Sequence, residues 1–252
     1  MQFLLIFQVK QSNMILLSTK GLGLSDKPIN EPYTWDYMST IVYEVVTRLN
    51  LKSVHLVVQD VAGPIGVDFA MKHPGMVNTI TFVNTFLKTD SYSLPFPLSV
   101  FKDELLRGPA FELWSNSFTS PASYLLFKNA YSSAMSYSDF KANNYLLSRR
   151  GGKNSLFKIL SNYETSSKYS AKLAEGIKTL SKNVTFQQIT VSDDVIPQEH
   201  SKYISELLNI KPTNINSKHF ISEDSPAAFV NQIINFIDEL PSSQKQNKPK
   251  RV

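Results

Sequence analysis

Apolar residues fall along this chain in two rhythms that take turns. Met14 to Leu17, Val54 to Val58, and Asn78 to Asn84 with Ile80, Phe82 and Val83 are short runs that read as strands, and the β-branched Val54 to Val58 run suits one buried on both faces of a parallel sheet. Between them Ile41, Val42, Val45, Val46 and Leu49 form one stripe of a helix that Thr34 is placed to cap. Ala62, Ile65, Gly66, Phe69 and His73 then keep helical spacing until Pro74 ends the pattern. Strand, helix and strand in succession predict an α/β sheet, mostly parallel, with helices on both faces. The rhythm stops at Phe86 and returns with a strand over Val184 to Thr190, a helix over Gln198 to Leu208, a polar loop to His219, and a last amphipathic helix carrying Phe229, Ile233, Ile234 and Ile237.

The interrupted stretch reads as an insertion. Pro95, Pro97, Pro109 and Pro121 break its first half, and Phe140 to Ile177 suits two or three short helices. The expected organisation is a core over residues 1–85, a helical cap over 86–180, the rest of the core over 181–240, and a disordered basic tail over 241–252. With 252 residues, 42% of them hydrophobic and 19% charged, one core with an excursion is the expected size. The net charge is +5, but Lys245, Lys248, Lys250 and Arg251 lie in the acid-free tail, and removing these four leaves +1 for the body. Nucleic-acid binding through a basic patch is therefore not expected.

The absence of cysteine excludes disulfides and a thiolate nucleophile. No two of His55, His73, His200 and His219 have the spacing of metal ligands on one helix face, so neither a metal nor a cofactor is expected. The Phe3 to Phe7 run is too short to span a bilayer and lacks the flanks of a signal sequence, which reads as a soluble, cytoplasmic protein without a membrane partner. The oligomeric state is left open.

The stretch richest in chemistry is Val57-Val58-Gln59-Asp60-Val61-Ala62-Gly63. An apolar strand ends there in a carboxylate and small residues open a helix, a sharp turn that lifts its apex side chain out of the sheet. A carboxylate at the apex is ionised at neutral pH and needs no base to become a nucleophile; Asp60 as a plain helix cap is the simpler alternative. Asp193 and His219 also follow strand-like or polar runs, and each read singly is a turn former or a packing histidine. Together Asp60, Asp193 and His219 stand in the order nucleophile, acid, histidine, which is the chain order of an α/β-hydrolase triad.

The chain resembles the α/β-hydrolase superfamily, and within it the haloalkane dehalogenase and epoxide hydrolase branch. The matching residues are Gly-Leu-Gly-Leu-Ser-Asp-Lys-Pro at 21–28, Tyr33-Thr34, Leu56 to Asp60, His73-Pro74 and Val83-Asn84-Thr85, then Asp193 to Pro197, His219-Phe220, Glu223-Asp224 and Pro226. The resemblance implies an α/β-hydrolase fold whose insertion roofs the pocket, and a hydrolase that takes a small apolar substrate and water. Asp60 would attack an sp³ carbon to form an alkyl-enzyme ester, and His219, oriented by Asp193, would activate the water that cleaves it.

Two departures mark the chain. Members of the branch begin with strands leading to a His-Gly loop that supplies one oxyanion donor; here residues Phe3 to Gln11 and Met14 to Leu17 align with the helix and strand that follow it, so an N-terminally truncated sheet is expected. The Val61 N–H remains as a donor, and loss of the other costs ~2.7–4 kcal/mol of barrier, which keeps a catalytically impaired or non-catalytic relative as an alternative. Dehalogenases place Trp after the nucleophile where this chain has Val61; Trp114 is the candidate indole, with cap core as its other reading. Epoxide hydrolases protonate the opening oxygen with cap tyrosines, for which Tyr124 and Tyr131 head the candidates, beside Tyr137 and Tyr145.

Overall fold

The computed structural model describes residues 3–8, 13–93, 99–100, 103–117 and 120–241; the side chains of 3–8, 13, 114, 117 and 193 lie outside that description. The expected basic tail, apart from Pro241, also falls outside it. Six strands form one sheet: β1 (Phe3–Gln8), β2 (Asn13–Ser18), β3 (Val54–Asp60), β4 (Val77–Thr85), β5 (Thr185–Asp193) and β6 (Thr213–Lys218), in the order β2-β1-β3-β4-β5-β6. β3 to β6 run parallel, and β1 is antiparallel to both of its neighbours.

Two features of the sheet correct the sequence reading. Phe3–Gln8, expected to align with a helix, is a strand that occupies the slot between β2 and β3. Thr213–Lys218, read as polar loop, is the edge strand β6; only Ile215 and Ser217 are buried along it, so its outward positions carry polar residues and no apolar run announces it.

The helices are α1 (Trp35–Arg48), α2 (Ala62–Lys72), α3 (Arg107–Ser117), α4 (Pro121–Tyr131), α5 (Tyr137–Ser148), α6 (Gly152–Ser161), α7 (Ser167–Leu180), α8 (Gln198–Leu208), the short α9 (Ile221–Asp224) and α10 (Pro226–Glu239). Thr34 caps α1 as its position predicts, accepting from the Tyr37 amide. The alternation of β3 divides the core. Val54, Leu56 and Val58 pack with α1, α2 and α7 through Val42, Val46, Phe69, Leu173 and Ile177. Val57 instead joins Ile189, Ile215 and the α10 residues Phe229, Ile233 and Ile237. Both faces of the central strands are thus covered by helix, which explains why they are nearly all apolar.

α7, at the end of the expected insertion, lies against α2. A Cβ on Gly176 would meet the Met71 sulfur at 2.1 Å, so the two helices touch backbone to side chain. The fully buried Asp68 carboxylate of α2 fixes this layer: Lys172 Nζ and Lys72 Nζ each lie 2.6 Å from it and Ser39 Oγ donates at 2.7 Å, tying α7, α2 and α1 together. Among the described residues no helix is long and apolar enough to cross a membrane.

Candidate active site

β3 ends in Asp60, and the chain turns at once into α2. Asp60 has φ +52°, the left-handed region that Asp tolerates better than most residues, and this lifts its side chain above the sheet edge. β4 fixes the turn from the side. Asp60 pairs with Thr85, whose hydroxyl donates to the Asp60 carbonyl at 2.5 Å. A Cβ on Gly63 would stand 2.0 Å from the same Thr85 oxygen, so only glycine lets α2 start this close to β4. The first amides of a helix have no partner inside it, and the Val61 N–H stands at that end of α2, next to the carboxylate.

His219 follows β6 and is fully buried. Its carbonyl accepts two side-chain amides from the sheet, Gln59 Nε2 at 2.5 Å and Asn84 Nδ2 at 2.9 Å, so β3 and β4 hold the residue by its backbone. The ring is held by a carboxylate: Nδ1 lies 2.7 Å from Asp194 Oδ1, an atom that also accepts the Ile196 amide at 3.0 Å. Nε2 points toward Asp60, with Oδ2 at 3.6 Å. Asp60 Oδ1 and His219 Nε2 are buried atoms with no hydrogen-bond partner among the described residues. The Asp60 and Asp194 side chains remain 25% and 13% exposed. The nucleophile candidate can therefore be reached while the base behind it stays dry.

The carboxylate seen on His219 is the neighbour of the one that the sequence reading names, whose own side chain lies outside the described residues. The sequence places the acid at Asp193, which closes β5 and pairs with Lys218 after an irregularity in register at Val191; the carboxylate on His219 belongs to Asp194, the first residue beyond the strand. Of the tyrosines, Tyr131 meets the site, its ring edge-on to His219 with centroids 5.7 Å apart. Tyr124 does not share that contact: its hydroxyl donates to the Met135 carbonyl at 3.0 Å and its ring packs on Tyr137 and Phe140 inside the cap. The Trp114 side chain lies outside the described residues; its backbone belongs to α3.

Sequence reasoning missed Tyr92 and gave Gln59 and Asn84 no role beyond resemblance. Tyr92 stacks on Phe86 at 3.7 Å and is buried within the field of Asp60, Tyr131 and Asp194. Burial and the two carboxylates push the Tyr131 hydroxyl up to about 12, so it is a proton donor at neutral pH. A cavity of about 420 Å³ flanks Asp194 on the α8 side, bounded by Asn84, Thr85, Gln188 and Thr190. Among the described residues no group of three or more acidic or histidine side chains has the arrangement to hold a metal ion.

Electrostatics set the state of His219. Burial alone would lower its pKa, but the contacts to Asp194 and Asp60 outweigh burial and push it up to about 9. An unfolded histidine titrates near ~6.5, so this group stabilises the fold fully below that pH, and the contribution is lost as pH rises through 9. The raised value depends in part on Asp60 being charged. In Asp60→Asn the His219 midpoint, followed by NMR of the ring nitrogens, is expected to fall below about 9; an unchanged midpoint would separate the two side chains.

Residues 8–170 match the family model for the alpha/beta hydrolase fold, well over half the chain, and the protein belongs to that family. It is 34% identical over 110 residues to a cis-3-alkyl-4-alkyloxetan-2-one decarboxylase of Shewanella oneidensis, a match that covers 42% of this chain and spans 34% of that relative's length. Its fold is similar to that of an epoxide hydrolase, with TM-score 0.69, 17% identity, and coverage of 92% of this chain and 84% of the other. A haloalkane dehalogenase loop variant from Bradyrhizobium elkanii gives TM-score 0.71 at 15% identity, covering 93% of this chain and 83% of that one.

Proposed function

We propose that the protein is a hydrolase that uses Asp60 as a nucleophile on an electrophilic sp³ carbon of a small, largely apolar substrate, by way of an alkyl-enzyme ester. The observation that carries this reading is the alignment of an accessible carboxylate at φ +52° with a buried imidazole whose far nitrogen is held by a second carboxylate. In the first step an Asp60 oxygen bonds to carbon as the leaving group departs with the bond's electron pair. Asp60 loses its charge on becoming an ester, which removes one of the two carboxylates that hold His219 protonated. The His219 pKa falls accordingly, so its proton passes to solvent and the imidazole is neutral when a base is needed. In the second step His219 Nε2 takes a proton from water as its hydroxide adds to the ester carbonyl, with the Val61 N–H facing the oxyanion. The oxyanion then collapses, breaking the bond from the Asp60 carbonyl carbon to the alkoxy oxygen, and the alcohol leaves with the proton from His219 while the Asp60 carboxylate is restored. Asp194 keeps the imidazole oriented and stabilises its cation.

A haloalkane dehalogenase-like reaction is the first reading for the leaving group, on the Gln59-Asp60 and Asn84-Thr85 pairs that the resemblance rests on. Epoxide opening is the second, favoured by Tyr131: a phenol still protonated at neutral pH, beside the nucleophile, is suited to an alkoxide that must gain a proton, whereas a halide leaves without one. The named relatives act on a haloalkane, an epoxide and an oxetan-2-one, each of which offers a carbon bearing a leaving group. The aromatic surroundings, Phe86, Tyr92, Tyr131 and Phe220, suit an apolar substrate. Incubation with alkyl bromides and with epoxides, read by halide release and by diol formation, tests the proposal; bromide alone supports the first reading, diol alone the second, and neither product from any substrate rejects both.

A further inference from the structure

One carboxylate outside the triad stitches the histidine loop to the cap. Asp224 ends α9, five residues after His219. Its Oδ1 accepts Ser132 Oγ at 2.8 Å and the Ala134 amide at 2.9 Å; its Oδ2 accepts the amides of Ser133 and Lys218, both at 3.2 Å. Three of these four donors belong to the segment directly after Tyr131, between α4 and α5; the fourth, the Lys218 amide, immediately precedes His219. Further contacts repeat the link: the Phe220 amide donates to the Tyr131 carbonyl at 2.8 Å, the Phe220 ring stacks on Tyr131 at 5.5 Å, and Lys218 Nζ donates to the Asn129 carbonyl.

We infer that Asp224 is a positioning residue that binds the end of α4 and the His219 loop into one body, so that Tyr131 and His219 keep a fixed relation to each other and to Asp60. A charged acceptor with four donors is strong and directional, and a neutral side chain cannot replace it. An asparagine would turn its NH2 toward two backbone N–H groups, and alanine would leave all four donors without this partner. The cap is therefore held to the core at the α4–α5 turn, and motion of α4 carries the base with it.

The inference rests on the Asp60–His219–Asp194 reading, and its test needs no substrate. NMR follows the titration of His219, which faces Asp60 at the end of β3, Asp194 after β5 and Tyr131 from α4; hydrogen exchange follows the Ser133 and Ala134 amides in the same samples of wild type and Asp224→Ala. The expected result is faster exchange at both amides together with a His219 midpoint lowered by one pH unit or more, because a loosened loop weakens both carboxylate contacts. Faster exchange with an unmoved midpoint would overturn the inference, leaving a tie with no bearing on the base, and unchanged exchange would overturn the clamp itself. Should Asp224→Ala fail to fold, Asp224→Asn gives the same two readings. A wild-type His219 that does not titrate well above the ordinary histidine range counts against the triad reading instead, which keeps the two failures distinct.

Discussion

His219→Gln is expected to stop the protein at the ester. The variant keeps a polar side chain of similar reach but has no base to draw a proton from water, while Asp60, already an anion, still attacks. Ester hydrolysis should slow by about 10²–10⁴-fold, the usual worth of general-base assistance, while ester formation changes far less. With an alkyl bromide or an epoxide as probe, intact mass analysis should then show one added substrate-derived group per chain, mapped to the peptide that contains Asp60. Full loss of turnover with no adduct on any probe would mean that His219 serves the first step as well, or that Asp60 is not the nucleophile.

The second large effect is expected at Asp194. Asp194→Asn keeps the shape of the side chain, but its amide can donate to Nδ1 and so shift the ring proton to Nε2, the atom that must be free to act as base. A comparable change in a serine-protease triad costs ~10⁴-fold, and about 10³-fold or more is expected here in the ester-hydrolysis rate. The parallel variant Asp193→Asn is expected to cost less than about tenfold, since the contact to His219 Nδ1 is made by the neighbouring Asp194. Pre-steady-state rates for formation and breakdown of the ester separate the two steps. Equal losses at both positions, or a larger loss at Asp193, would return the role to the residue that the sequence pattern favours.

That one-residue difference shows what a hydrophobic pattern can and cannot locate. The elbow is legible because Val54 to Val58 must be buried on both faces, which leaves Asp60 at the strand's end and fixes its place. The phase of a loop is not written in this way. After Val191 the β5–β6 register slips, and which member of the Asp193-Asp194 pair faces His219 depends on backbone geometry that no apolar spacing encodes. β6 was hidden for a related reason: an edge strand whose buried positions include only Ile215 and Ser217 looks polar in one dimension. Tyr131 shared the head of the cap tyrosines with Tyr124 until its ring contact with His219 and its ties to Phe220 set it apart. Asp224 itself was visible only as part of a resembling motif, because a carboxylate that gathers backbone amides from two distant segments has no local signature.

The covalent role of Asp60 is tested most directly by one turnover in oxygen-18 water, with protein in excess over substrate, followed by mass analysis of the peptide that contains Asp60 and of the product. If water cleaves an Asp60 ester, the heavy oxygen enters the Asp60 carboxylate and the product alcohol carries the ordinary oxygen that Asp60 gave up. Heavy oxygen in the product with none in Asp60 would show that water attacks the substrate directly, and would contradict the covalent route.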